Sequence, residues 1–520
     1  MLVPVALSQS EDPDIELDGY RIVGKDTRVF TVTGDRLSTV DFMRSPVVVP
    51  REERDMEASK GLIGEDERIQ RVEDFTISRG AYVNADLLSG LKTPVLLWGK
   101  TSLDLGGKAV TLKFFNRQSK LNTPYNYAPI VRDFEAVGYF DASFASFAVT
   151  GMFGSEDDEY DNSYIRNSIR TVDRYGAGVT MRLQPGKTWD VTGHFRINGS
   201  SYEDKQLTGD GDELFLEGDG KATGDLGATT VVLDATGSYV DLADRHGTLS
   251  SIGALGEWLV MDSFGFKAGV SLSMYSAPDT DDTEISPDPR IEADWAITPK
   301  LYFRAAYKPG IIRHSFSDLY GMNGLITYDT PMLFEDRSLD LSAEIGMRLS
   351  RIDAAVEGFI IKSENMPVFT SVDSSAALFG IVPNSEVDLS GILIRLAYTG
   401  SNRFDLGGKL KITDASWNLS DHVPYIPGME LDLDAGMNLY ESWRLYGAIR
   451  YVGEHYIDTA GNESEDGFIT FDVGVERVFL NRHLSFYVDL RNLTNTEGAW
   501  WSGPYPIPGT GLFTGLNMHY

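Results

Sequence analysis

From Ile77 to Tyr520 the sequence keeps a two-residue rhythm, and this rhythm narrows the fold more than any other feature. In Leu431–Leu439, Leu431, Leu433, Ala435, Met437 and Leu439 alternate with Asp432, Asp434, Gly436 and Asn438. Ile469, Phe471, Val473 and Val475 form one face of the next clear segment, and Leu484, Phe486, Val488 and Leu490 one face of the segment after it. Successive side chains of a strand point to opposite sides, so each segment reads as a strand with one apolar and one polar face. About 22 such segments can be counted, starting near 77, 94, 107, 134, 145, 173, 189, 212, 228, 246, 263, 287, 299, 336, 352, 386, 403, 428, 442, 465, 483 and 510. The stretch 120–155 divides in more than one way, leaving the count open by two.

The connections alternate as well. Gln184–Lys187, Thr298–Lys300, Ser401–Arg403, Glu441–Ser442 and Asn481–His483 are tight, whereas Gly154–Asp173, Ser276–Asp288, Pro309–Glu335 and Ser363–Ser385 are long and polar. Tight turns at one end and long loops at the other suit a transmembrane antiparallel β-barrel, and an even count returns the last strand to the end where the first began. Composition alone divides evenly between such a barrel and a large secreted all-β protein. The 520 residues are 42% hydrophobic, with 52 Gly, 24 Tyr, 26 Phe and no Cys. No run approaches the roughly 20 apolar residues of a membrane-spanning helix. A net charge of −31 argues against nucleic acid, so no nucleic-acid partner is expected. The absence of Cys excludes disulfides and thiolate metal sites. No amphipathic helix after residue 76 is available to cover outward Leu, Val and Phe rows, which favours lipid as the cover.

The sequence divides into three parts. Residues 1–10 resemble the tail of a secretory signal without its basic start. Residues 11–76 read as a water-exposed segment, with a strand pair at Tyr20–Val23 and Arg28–Val32 and a charged helical stretch from Glu52 to Glu73. Residues 77–520 are the barrel.

The last residues, Thr514, Gly515, Met518 and Tyr520, have the spacing of the C-terminal β-signal that the barrel-assembly machinery reads on outer-membrane barrels, with Met518 and Tyr520 turned to lipid. Before them stand Asn492-Leu493-Thr494-Asn495, Trp500-Trp501 and Tyr505-Pro506-Ile507-Pro508-Gly509. This order resembles the C-terminal end of TonB-dependent receptors, a family of 22-stranded barrels of the bacterial outer membrane. The resemblance rests on about the last 35 residues by motif and on most of the chain by strand count. Thr510 stands where many members carry Arg. Fewer than eighty residues precede the first strand and none is Gly-rich, so the resemblance is to a receptor barrel without its plug domain.

That resemblance implies transport across the outer membrane, or a membrane scaffold whose protein partner fills the lumen, with lipid, lipopolysaccharide and a periplasmic or surface protein as partners. An uptake receptor with a reduced plug made from 11–76 is the alternative, and a soluble secreted binding protein is the third reading. Val47, Val48 and Val49, between Pro46 and Pro50, are either a TonB-box-like segment or a plain extended linker. A barrel this wide is not filled by its own wall side chains. Asp432, Asp434, Asp472, Glu476 and Asp489, with Arg444, Arg450 and Arg491, are the candidate lumen wall. Glu156–Glu159 with Asp161, and Asp279, Asp281, Asp282 and Glu284, are either solvated loops or sites for Ca²⁺ bridging to lipopolysaccharide. No other cofactor is expected. The seven His, at 194, 246, 314, 422, 455, 483 and 519, show no metal-ligand spacing, and no nucleophile elbow or phosphate loop is present, so no enzyme is expected.

Overall fold

A computed structural model describes two short strands near the N-terminus and, from Ala81 to His519, the barrel strands with most of their connections; 23–80, 119–127, 161–167 and 497–509 are among the residues it does not describe. The charged stretch Glu52–Glu73, the Val47–Val49 segment and Tyr520 therefore lie outside the described residues. Tyr20–Ile22 is a strand, but its partner is Ile15–Leu17; the expected partner, Arg28–Val32, is not described.

Apart from two small hairpins in the connections, Val368–Asp373 with Leu378–Val382 and His455–Tyr456 with Ser464–Glu465, the remaining strands form one closed antiparallel barrel. Ala81–Gly90 is the first strand and Gly511–His519 the last, and they pair with each other from Phe513↔Gly90 to His519↔Asn84. Twenty-two positions surround the axis, one of them filled by two short strands, Leu301–Tyr307 and Gly310–His314. The alternation places most of the strand starts closely: 145, 189, 352 and 386 are met, and the largest offset is at Ala128, where 134 is expected. The ambiguous stretch resolves into Ala128–Ala142 and Ala145–Tyr160.

The faces follow the alternation. On Glu386–Ser401, Ile392, Ile394 and Leu396 are 45, 37 and 38% exposed on the outside, while Val387, Leu389 and Leu393 are buried on the inside. Ile469, Phe471, Phe486 and Leu490 are likewise exposed outward, and Tyr487, Asp489 and Arg491 are buried inward. An outward apolar belt of this kind is stable against acyl chains, which offer no hydrogen bonds and so require every backbone group to be laddered.

Strand lengths differ around the wall. Ala145–Tyr160, Ser168–Leu183 and Trp189–Asp204 have 16 residues each, whereas Leu484–Arg491 has 8 and Gly511–His519 has 9. A bilayer needs about 9–11 residues of tilted strand, so the longer strands rise past the belt at the long-loop end. This corrects the loop bounds. Glu156–Glu159 and Glu284 belong to strands, so Gly154–Asp173 shrinks to 161–167 and Ser276–Asp288 to 277–282. Tall wall strands extend into what polar composition reads as loop. Four lengthy connections, 315–332, 365–385, 418–428 and 453–467, follow the second half of the wall, as does the connection 492–510 before the last strand.

A charge placed in the belt tests this orientation. Ile394→Lys should cost roughly 2–4 kcal/mol if 394 lies near the midplane. Leu419→Lys, in a connection, should leave stability unchanged within about 0.5 kcal/mol. Urea titration of the refolded protein in detergent, read by heat-modifiable gel mobility, measures both.

Candidate functional site

Two features occupy the inside of the barrel: a roof at the long-loop end and a charged wall below it. The roof is a core of the kind found in water-soluble domains. Phe316, Leu319, Ile326, Met366, Val368, Phe369, Phe379 and Tyr425 are each at most 3% exposed and belong to one cluster. They lie in or beside the four lengthy connections. Val368–Asp373 and Leu378–Val382 form a small hairpin there. Ile326 bridges to Phe379, and Thr327 N–H donates to the Phe379 carbonyl at 2.7 Å. The Phe379 ring lies 5.7 Å from that of Tyr425, whose N–H donates to the Tyr456 carbonyl at 2.8 Å.

The roof is anchored on the opposite wall. Phe316 meets Tyr202 edge to face at 4.6 Å, and its N–H donates to Glu213 at 2.8 Å. Arg170 donates to the Ile326 carbonyl at 3.1 Å, and the Arg313 guanidinium lies 3.7 Å from the Phe215 ring centre. Arg170, Tyr202, Glu213 and Phe215 stand on the tall strands, so contacts bridge the mouth from one side to the other. The root of the connection is held by a buried polar group: Glu335 accepts from Arg337 at 2.7 Å and from Ser363 at 2.9 Å and pairs with His314 at 2.7 Å. Sequence reading missed the roof because its connections are polar on average. The apolar runs Val368-Phe369 and Leu378–Val382 were the available signal.

The candidate wall residues do face inward together. Asp434, Arg444, Asp472, Asp489 and Arg491 line one shallow pocket, with Asp405 and Tyr446, which sequence reading did not select. Arg444 pairs with Asp405 at 3.0 Å, Arg491 with Asp489 at 3.0 Å and Arg450 with Asp432 at 2.9 Å, and Tyr446 donates to Asp489. Glu476 stands opposite Arg444 in the ladder. Further pairs continue around the lumen, including Arg182–Asp190, Lys411–Glu430 and Arg395 with both Glu344 and Glu357. Mixed, mutually satisfied charge is what a hydrated interior tolerates. The acidic strand end is also paired, Glu156 with Arg174 at 2.6 Å and Asp157 with Arg132 at 3.4 Å. Among the described residues no group of three or more His, Asp or Glu is placed to hold a metal ion. Asp161, Asp279, Asp281 and Asp282 are outside the described residues.

The C-terminal motif forms a clasp. Asn492 and Asn495 both adopt φ of 48°, a left-handed conformation that Asn tolerates well. Asn492 is 1% exposed; its N–H donates to Asp472 at 2.8 Å, its side-chain oxygen accepts from Thr494 and from Thr496 N–H, and its amide donates to the Thr496 carbonyl. Leu493 N–H reaches the Phe471 carbonyl. Thr510, at the head of the closing strand, donates to the Asn492 carbonyl at 2.8 Å and receives Asn495 as partner to its N–H at 3.1 Å. The Thr at this departure from the family pattern thus ties the last strand to the turn before it. Tyr505, Pro506, Pro508 and Gly509 lie outside the described residues. In the β-signal, Thr514 pairs with Val488 and Met518 with both Leu484 and Ala85. A Cβ on Gly515 would overlap the Tyr487 ring, so this glycine is the slot in which Tyr487 lies. Asn492→Ala, which removes several buried hydrogen bonds, should cost about 1–3 kcal/mol. Gly515→Leu should cost a similar 1–3 kcal/mol by overpacking. Both losses are measurable as lowered midpoints in urea unfolding.

No protein-family model matches the sequence, and no curated protein matches it. Solved structures do. The copper transporter OprC matches with a TM-score of 0.67 at 13% identity, over 85% of this chain and 81% of that one. The ferric enterobactin receptor PfeA of Pseudomonas aeruginosa matches with a TM-score of 0.67 at 11% identity, over 85% and 81%. The siderophore receptor PiuA of Acinetobacter baumannii matches with a TM-score of 0.67 at 9% identity, over 85% and 82%. These neighbours are, by name, transporters and receptors. At such identities the likeness is one of fold: this chain has the same large closed barrel as those proteins.

Proposed function

We propose that the chain is a transport barrel of the bacterial outer membrane, in which a ligand meets the roof from outside and enters the lumen when the roof parts. The observation that carries this reading is the apolar roof bridging the mouth, from Phe316 against Tyr202 to Phe379 against Tyr425. A free-diffusion pore gains nothing from a buried core across its entrance, whereas a receptor needs a shaped outer face that can move. The shared fold with receptors and transporters, the apolar belt and the hydrated, charge-paired lumen support the same reading. A soluble secreted protein would leave Ile392, Ile394, Leu396, Phe471 and Phe486 in water, so that alternative is disfavoured.

In this reading the roof limits leakage through the barrel. Residues 11–76, on the periplasmic side, are the contact arm for a protein partner. The barrel-assembly machinery would recognise the closing strand by strand addition, and lipopolysaccharide would surround the tall strands. A reduced plug built from 11–76, and a scaffold whose partner fills the lumen, are distinguished from this reading by deletion of Ser45–Pro50 and by proteins that copurify in mild detergent. Loss of ligand uptake on that deletion favours the reduced plug. A stoichiometric partner favours the scaffold.

Planar-bilayer conductance provides the test. The intact chain should give little persistent current, and deletion of 316–332 should raise the open current about tenfold or more, as expected when a barrel of this width loses its obstruction. A large steady current from the intact chain would contradict a closing roof.

A further inference from the structure

The barrel wall is not laddered evenly. Thr283–Thr298 pairs with Phe264–Ser276 through its outer part, from Ser276↔Thr283 to Phe264↔Trp295. On its other side it pairs only from Ile291↔Tyr307 to Thr298↔Leu301. Past Tyr307 the next strand breaks. Lys308 N–H turns to the Asp340 carbonyl at 2.8 Å, Pro309 follows, and Gly310 takes φ of 147°. Gly310–His314 then pairs with Leu333–Arg337 and, among the described pairings, with no part of Thr283–Arg290. The hairpin so formed leans into the lumen: Arg313 lies over inward-facing Phe215, and Phe334 lies 5.7 Å from inward-facing Tyr275. A bulge between Arg337 and Leu339 lies at its base, and Asp336 and Arg337 stay laddered to Glu364 and Ser363 on the side away from the seam. Between Thr283–Arg290 and this hairpin runs an unladdered seam.

The seam opens at the outer rim of the apolar belt. Ile285 is 69% exposed on the outside, beside Leu272 and Met274 and above Ile291. A bare strand edge in hydrocarbon is costly because its N–H groups find no acceptor. Pro287 and Pro289 stand on one side of the seam and Pro309 on the other. The ladder to Phe264–Ser276 continues through both prolines, so the donors they lack are those that would face the seam. Proline on an edge also blocks the addition of another strand, which argues against a peptide occupant. What abuts the seam is the outer leaflet.

Behind the seam the lining is polar and acidic. Tyr275 donates to Glu284, Asp288 accepts from Ser273 and from Ser286 at 2.9 Å, and Asp336 lies within electrostatic reach of Glu284, Asp288 and Glu364. The nearby cations are engaged: Arg290 and Lys308 pair with Glu292, Arg337 pairs with Glu335 and Asp340, and Arg313 lies over the Phe215 ring. Such a lining favours a cationic head and disfavours an anionic one.

We propose that the seam is a lateral opening through which an amphiphile, with its alkyl chain in the outer leaflet and a cationic amine head, reaches the lumen. This rests on the membrane reading above. The test uses the full chain in phosphatidylethanolamine–phosphatidylglycerol vesicles and two probes, octadecylamine and octadecanoic acid, each with a photoactivatable diazirine in the chain. The amine should label 285–290 and 310–314 about tenfold more than the acid, the discrimination expected of a few partly screened charges. The chain has no native Cys, so Pro289→Cys with Pro309→Cys can be bridged by a bismaleimide, which should abolish most seam labelling and leave labelling of Ile392 and Ile394 unchanged. Pro287→Thr with Pro289→Thr restores two donors and should lower seam labelling without a cross-link; heat-modifiable mobility confirms that each variant is folded. Seam labelling that persists after bridging, or that is equal for amine and acid, overturns the proposal. Labelling at Ile392 and Ile394 with none at the seam overturns the opening alone, and labelling at neither place overturns the membrane reading beneath it.

Discussion

The pairing of Gly511–His519 with Ala81–Gly90 is the interaction from which the rest of the structure follows. A sheet with an apolar outer face can rest in lipid only if neither edge is left bare, because hydrocarbon supplies no hydrogen-bond partners. Joining the last strand to the first removes both edges at once. The Asn492–Thr510 clasp holds the head of that last strand against the turn preceding it, and Gly515 gives Tyr487 room to lie across it. Local side-chain chemistry thus serves the one long-range contact that closes the wall, between segments more than four hundred residues apart.

Closure at this width creates a second requirement, since wall side chains cannot reach across the axis. The chain meets it in two ways. Arginine and carboxylate pairs line the lumen, so its charges are balanced locally and water can remain. Above them, four connections from the second half of the wall pack on one another, and one of them, 315–332, reaches the tall strands of the first half, where Tyr202 receives Phe316 and Arg170 the Ile326 carbonyl. The tall strands and the lengthy connections are therefore complementary, one side offering an inward apolar surface and the other the residues that cover it. The cost falls at Pro309, where the wall gives up a stretch of ladder so that the hairpin can lean inward.

The barrel was legible from residues because its signal is local. Alternation in segments such as Ile469–Glu476 fixes which side chains share a face, and that was enough for the strand count, the connection sides and the inward set of Asp432, Asp434, Asp472, Asp489, Arg444, Arg450 and Arg491. Partners within the set were less legible. Asp405 and Tyr446 come from strands whose register decides who meets Arg444 and Asp489, and register is set by the whole ladder. The extent of strand was underestimated at Glu156–Glu159 because an acidic run reads as loop until its paired neighbour, with Arg174, is known. The roof was least legible: it joins segments across the lumen, and nothing in the spacing of Phe316 or Phe379 announces Tyr202 or Tyr425.

The central claim is that the two-residue rhythm separates lipid from lumen on a closed wall. A nitroxide scan along Glu386–Ser401 tests it most directly, with single cysteines introduced into this Cys-free chain and reconstituted in vesicles. Collision with oxygen, which partitions into acyl chains, should be high at 392, 394 and 396 and low at 391, 393 and 395, alternating strictly. Uniform oxygen access along the strand, or an alternation of opposite phase, would contradict the account.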